Sequence, residues 1–194
     1  MARTAERDGD TDAARARLRA LIAEKSLLIA PPGKPFALAS GRSSPYLIDL
    51  KLTCFDPEGI SLIADLLLAA LDREKLDGVG GMETGGIPLA AAVCQRSHAA
   101  PPPLPGFFVR KQAKDRGAGR RIEGVFAPGA RVALVEDVTT TGGSILQAVE
   151  AVREAGGEVA QLVTVVDRLE GARDNLAAAG IALTALFTKE DFGL

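Results

Sequence analysis

Two adjacent carboxylates, Glu136 and Asp137, open the stretch of this chain best suited to chemistry, and Val138, Thr139, Thr140, Thr141, Gly142, Gly143 and Ser144 follow them. The acids end the apolar run Val132–Val135, and the helical run Ile145–Glu154 begins directly after Ser144. That order builds an anion cradle. A helix N-terminus offers free N–H groups, hydroxyls add donors, and glycines let the backbone approach the ligand. The two acids suit sugar hydroxyls or a divalent cation, so a sugar phosphate would fit from end to end. A nucleotide loop of the G-x-x-x-x-G-K-[ST] type is excluded, because no lysine follows the glycines. A dinucleotide fingerprint is excluded as well, since acids and threonines stand where its glycines would come first. The plainer reading is a capped strand–helix turn, against which the density of donors argues.

Two further segments bear on the same chemistry. Arg110-Lys111-Gln112-Ala113-Lys114-Asp115-Arg116-Gly117-Ala118-Gly119-Arg120-Arg121 carries six cations against one acid, and two glycines loosen it. Alone it would read as a solvated charge run. Beside a sugar-phosphate site it suits a polyanion, pyrophosphate above all, whose charge on departure the cations would stabilise. The turn Gly80-Gly81-Met82-Glu83-Thr84-Gly85-Gly86 lies between a strand and a helix. Its free N–H groups could hold the same anion from another side, or it is only a flexible capped turn.

The elements that must position these segments alternate along the chain. Residues 12–29 have helical spacing and stop at Pro31-Pro32-Gly33. Short strands are expected at Phe36–Leu38 and Tyr46–Leu50. Asp56 as N-cap and Pro57 at the first helical position open a helix to about Lys75. A strand at Gly78–Gly81, a helix at Pro88–Ser97 and a strand at Phe107–Arg110 follow. Further strands are read at Arg131–Val135, Val159–Val166 and Ile181–Phe187, with helices near 145–155 and 170–179. This alternation predicts an α/β fold with a parallel sheet covered on both faces. The loops at the C-terminal strand ends then become the ligand positions.

Length and composition bound the rest. A chain of 194 residues suggests one domain with a real core. Its apolar fraction of 47% and mean hydropathy of +0.14 fit a globular protein. No apolar run reaches the ~20 residues of a membrane span. Residues 1–11 are polar, lack the apolar core of a signal peptide, and read as a disordered lead-in. The net charge of −2 gives no global reason to expect nucleic acid or a membrane surface. Cys54 and Cys94 have no metal-ligand spacing and read as free thiols of a reducing, cytoplasmic compartment. His98 is the only histidine and lies in an expected loop. A histidine-dependent triad and a multi-histidine metal site are therefore poorly supported.

Together, four segments resemble the orotate phosphoribosyltransferases, of the type I phosphoribosyltransferase family: Leu38–Tyr46, Gly80–Pro88, Arg110–Lys114 and Glu136–Ser144. The turn Val165–Ala172 and the end Thr188–Leu194 match as well. The resemblance implies a mostly parallel central sheet flanked by helices, with a small N-terminal hood built mainly from the first ~50 residues of a single domain over 12–194. It also implies transfer of ribose 5-phosphate from phosphoribosyl pyrophosphate (PRPP) to orotate with Mg²⁺, the metal carried by PRPP. The expected assembly is a homodimer whose basic loop 110–121 reaches the neighbouring site, with neither nucleic acid nor membrane as partner.

Carried over by position, Glu136 and Asp137 would hold the ribose hydroxyls, Thr139 to Ser144 would cradle the 5′-phosphate, and Val138 between them would also bind PRPP. Thr84, Gly85, Arg110, Lys111, Lys114 and Arg116 would bind PRPP at its pyrophosphate, with Lys111, Lys114, Arg116 and Asp137 as catalytic candidates. Thr140 and Arg168 would face orotate, Arg168 as a guanidinium fork for its carboxylate, and Tyr46, Leu47 and Ile48 occupy the stretch that lines the orotate pocket in the family. Three positions depart from the pattern of many members: Ala39 and Gly85 stand where lysines occur, and Arg116 where histidine is usual. Arginine keeps the cation but gives up no proton near neutral pH. A purine or xanthine phosphoribosyltransferase shares the PRPP loop, but Arg168 and the Ser40–Tyr46 segment favour an acidic pyrimidine. A regulatory PRPP-binding protein would usually add a nucleic-acid-binding segment, and none is evident.

Overall fold

The computed structural model describes residues 2–37, 43–99, 101–112 and 121–194. Helix α1 (Ala2–Lys25) begins inside the stretch expected as a lead-in. It stops before residue 29 because Leu27–Ile29 forms strand β1 instead. Strands β2 (Phe36–Ala37) and β3 (Ser43–Ser44) pair antiparallel, and β4 (Tyr46–Ile48) pairs antiparallel with β1, setting Tyr46 opposite Ile29. A single turn, α2 (Lys51–Cys54), precedes α3 (Pro57–Ala70). The Asp56 carboxylate accepts the Gly59 N–H at 2.9 Å, and Pro57 occupies a position whose N–H needs no partner, as the sequence predicts. The helix ends at Ala70 rather than near Lys75. Leu71 is extended and buried, and Arg73–Lys75 forms a separate 3₁₀ turn.

The rest of the chain is strand, helix, strand. In order come β5 (Gly78–Met82), α4 (Gly86–Ser97), β6 (Gly106–Val109), β7 (Ile122–Gly124), β8 (Arg131–Thr139), α5 (Gly143–Glu154), β9 (Glu158–Asp167), α6 (Ala172–Ala178) and β10 (Leu183–Thr188). The main sheet has the order β10-β9-β8-β5-β6-β7. All neighbours are parallel except β6 and β7, which makes β7 an antiparallel edge just beyond the basic segment, where the sequence reading assigns no strand.

The alternation of β8 sets the layers. Val132 and Leu134 pack with Ile145, Val149 and Leu176 of α5 and α6. Ala133 and Val135 pack with Leu18, Ile63, Leu67 and Leu89 of α1, α3 and α4. Burying a Val, Leu or Ile side chain contributes roughly 1.5–3 kcal/mol, so a strand apolar on both sides is stable only as the middle layer. From β5 the chain crosses to β6 on one side, while β8 lies on the other. Such a reversal opens a crevice at the C-terminal strand ends. Among the described residues, no helix is long and apolar enough to cross a membrane.

Candidate active site

The ends of β9, β8, β5 and β6 carry the site residues side by side. On β8 the strand does not stop at the acids: it continues through Glu136, Asp137 and Val138, and Thr139 pairs with Asp167 of β9. Glu136 is only 6% exposed. Its Oε1 accepts the Asp137 N–H at 3.3 Å, and its Oε2 has no partner among the described residues. Burial above all, and then the charge of Asp137, pushes the Glu136 carboxyl well above the usual carboxylate range, with Lys111 opposing. Asp137 is half-buried, and its Oδ1 accepts the Val138 N–H at 2.7 Å. Its carboxylate is thus oriented, yet still reachable from the crevice.

The loop turns into α5 at Gly142, whose φ of +82° suits glycine. The first intrahelical bond runs from Leu146 N–H to the Gly142 carbonyl at 2.9 Å, which leaves the N–H groups of the first turn for an anion. Thr141 and Ser144 are exposed, Thr140 is half-buried, and the buried Thr139 Oγ1 has no partner among the described residues. Asn175 of α6 donates to the Thr141 carbonyl at 2.8 Å and fixes the loop from behind.

The β5–α4 turn is pressed against this strand. A Cβ at Gly81 would meet Gly86 at 2.6 Å and the Val135 carbonyl oxygen at 2.7 Å, so backbone touches backbone there. At Gly85 a Cβ would fall 2.5–2.6 Å from the Asp137 carboxylate. The absence of a side chain at 85 therefore gives Asp137 its place, and the Thr84–Gly85 turn adjoins the acid pair. Glu83 ties this turn to the next strand: its N–H donates to Val109 O and its Oε1 accepts the Lys111 N–H, at 2.9 and 2.7 Å. Arg110 N–H donates to the Arg121 carbonyl at 2.8 Å and closes the base of the basic loop.

Arg168 follows β9 and is 5% exposed. Its N–H donates to Thr139 O at 2.9 Å, which joins it to the β8 loop. Its Nη2 donates to Ser44 Oγ at 3.3 Å and pairs with Glu170 at 3.0 Å. The guanidinium carbon lies 4.6 Å from the centre of the Tyr46 ring. Beneath it, the fully buried Asp167 accepts the Leu169 N–H and Arg173 Nε, each at 2.9 Å. Leu47 is half-buried beside this group, whereas the Ile48 side chain belongs to the core, so only its main chain is on offer to a ligand.

Lys114, Arg116 and Ala39 lie outside the described residues. His98 is exposed at the end of α4. Burial, followed by the charge of Asp137, pushes the Cys54 thiol up to about 12, as suits an inert core thiol. The sequence reading missed Ser44, Glu83, Asp167 and Glu170 as supports of the site. Ser44 meets Arg168 across 124 positions and Glu83 holds a main-chain N–H, so no local spacing marks those two, whereas Glu170 and Asp167 find Arg168 and Arg173 within six residues, inside a turn the sequence singles out without giving these acids a role.

The comparisons agree with this geometry. The Phosphoribosyl transferase domain model matches residues 56–180. The orotate phosphoribosyltransferase of Bradyrhizobium diazoefficiens is 46% identical over 185 residues, covering 93% of this chain and 96% of that protein. The crystal structure of Mycobacterium tuberculosis H37Rv orotate phosphoribosyltransferase with Fe(III) dicitrate superposes with a TM-score of 0.80 at 37% identity, covering 93% and 99% of the two chains. The same enzyme in complex with PRPP superposes at 0.77 with 34% identity, again over 93% and 99%. With its α/β fold and its mostly parallel six-stranded sheet, the chain belongs to the orotate phosphoribosyltransferases, enzymes of the pentosyltransferase class.

Proposed function

We propose that this chain transfers the ribose 5-phosphate group of PRPP to orotate, giving orotidine 5′-monophosphate and pyrophosphate in pyrimidine biosynthesis. One observation carries the reading. The strand order β9-β8-β5-β6 sets out, in sequence, a buried guanidinium, an acid pair with an anion cradle, a glycine turn and the start of a cationic loop. That is the order of a base carboxylate, a ribose phosphate and a pyrophosphate. Arg168 takes the orotate carboxylate, with Thr140 and the main chain of Leu47 and Ile48 alongside. Glu136 and Asp137 hold the ribose hydroxyls, and Thr139 to Ser144 bind the 5′-phosphate. Thr84, Gly85, Arg110, Lys111, Lys114 and Arg116 take the pyrophosphate.

Breaking the bond at ribose C1 builds positive charge on the sugar and negative charge on pyrophosphate. Asp137 suits the first and the cations of 110–121 the second. The ring nitrogen of orotate attacks, so the protein's work is positioning and charge. Mg²⁺ held by the pyrophosphate would add further charge stabilisation, and the half-buried Asp137 is an oxygen donor suited to that cation. We read residues 12–194 as one domain with an N-terminal hood, a cytoplasmic compartment, and a homodimer in which loop 110–121 reaches the neighbouring site.

The test is loss of orotate absorbance with purified protein, PRPP and Mg²⁺, with uracil, hypoxanthine and xanthine as controls. Consumption of orotate alone, dependent on both PRPP and Mg²⁺, is the expected result. Turnover of a purine in place of orotate would overturn the substrate, and PRPP binding without turnover of any base would overturn the enzyme.

A further inference from the structure

The orotate reading gives Arg168 a task but leaves open what holds its plane. The side chain is nearly buried, yet its Nε finds no acceptor among the described residues. Nη2, on the same edge of the guanidinium, is held by Ser44 Oγ and Glu170. Both Nη2 hydrogens are thereby directed at protein acceptors, which leaves Nε as the open charge-assisted donor on that edge for a carboxylate. The unfilled Nε is therefore the donor waiting for the ligand, and the tilt of the guanidinium decides whether it can be reached.

The Tyr46 ring lies against that guanidinium. The guanidinium carbon sits 4.6 Å from the ring centre, within the range where an aromatic face attracts a cation. The main chain that carries the ring is itself fixed. Tyr46 pairs with Ile29 across β4 and β1, and its carbonyl accepts Ser44 Oγ at 2.6 Å. One two-residue step of chain thus supplies both the platform under Arg168 and one of the two acceptors at its edge.

We propose that Tyr46 is a positioning residue for the reaction: its ring face orients Arg168 so that Nε meets the acid group of the base. This rests on the orotate reading. Tyr46 acts through Arg168 on one end of one substrate, so its loss should appear only where that carboxylate is bound.

Steady-state kinetics in both directions test this. Tyr46→Leu keeps an apolar side chain and removes the ring face. It should raise KM for orotate, and KM for orotidine 5′-monophosphate in the reverse reaction, by about five- to tenfold. KM for PRPP, KM for pyrophosphate and kcat should stay within about twofold of wild type. Tyr46→Phe keeps the face and should restore both raised constants. An equal rise in all four Michaelis constants, a fall in kcat alone, or failure of Tyr46→Phe to restore would overturn the proposal.

Site-specific incorporation of pentafluorophenylalanine at position 46, the chain's one tyrosine, withdraws π density there without adding an ionisable group. If Tyr46→Leu does not fold, this labelled protein takes its place. A rise in orotate KM alone supports the proposal, and an unchanged value overturns it. Orotate consumption by wild type is measured first. Its absence would defeat the functional reading, whereas a missing KM split in an active enzyme would defeat only the role of Tyr46.

Discussion

The two cationic poles of this site are built in opposite ways. Arg168 is buried, set over the Tyr46 ring, held at one edge by Ser44 and Glu170, and tied to the β8 loop through its backbone. At the other end Lys111 is exposed, and what is ordered there is main chain: its N–H on Glu83 and Arg110 N–H on Arg121. A buried, preset guanidinium recognises shape, because its donors already point one way. An exposed cation recognises charge and is screened by salt. The difference separates choosing a base from neutralising a leaving group.

That contrast is broken most severely at Arg168. Arg168→Lys keeps the charge but loses the fork and the guanidinium's place over the Tyr46 ring. Its kcat/KM for orotate should fall by about 30- to 1,000-fold, on the order of 2–4 kcal/mol, with KM for PRPP little changed. A comparable rise in both Michaelis constants would show that the pole is not base-specific. Lys111→Ala should cost about tenfold in kcat, and the loss should shrink as ionic strength rises. A salt-independent loss would place Lys111 in the preset class beside Arg168.

Glu136 sharpens the comparison from between the poles, because it too is buried and preset. Its carboxyl titrates higher in the folded chain than in the unfolded one, so the folded state holds its proton more tightly. Stability from this group therefore falls as pH rises through the ordinary carboxylate value near ~4.3 and continues to fall up to the folded value. Glu136→Gln should raise the melting temperature at neutral pH by about 2–4 °C per kcal/mol recovered, while weakening PRPP binding. Thermal scans should show the gain vanish at acid pH below that range; a gain equal at all pH values would argue against a buried charge. The smallest effect belongs to His98→Asn, which should leave kcat, both Michaelis constants and their pH profiles unchanged, since His98 is exposed at the end of α4.

The same division explains what the sequence could reveal. The acid pair, the hydroxyl–glycine loop and the start of α5 form one continuous segment, so their chemistry is visible in residue order alone. The cap of α3 is legible for the same reason. The surroundings of Arg168 are not. Ser44 lies 124 positions away, and nothing in either neighbourhood announces the meeting. The extension of β8 through Glu136 to Thr139 was hidden because polar residues read as loop, although strand pairing with β9 uses only main-chain groups. Edge strand β7 was hidden behind its charged neighbours, and α2 is too short to show a period.

The contact of Gly81 with Gly86 and with the Val135 carbonyl has a consequence for how such a catalyst can diversify. Side chains are what mutation exchanges, and here none intervenes between the two loops that would flank the sugar. The width of the crevice floor is therefore written in peptide units that every sequence shares. New base preferences would have to arise at the walls, around Tyr46 and Arg168, where residue identity can change without moving the floor. A redesign of selectivity that leaves 81 and 86 untouched keeps the ribose seat while replacing what stands over it.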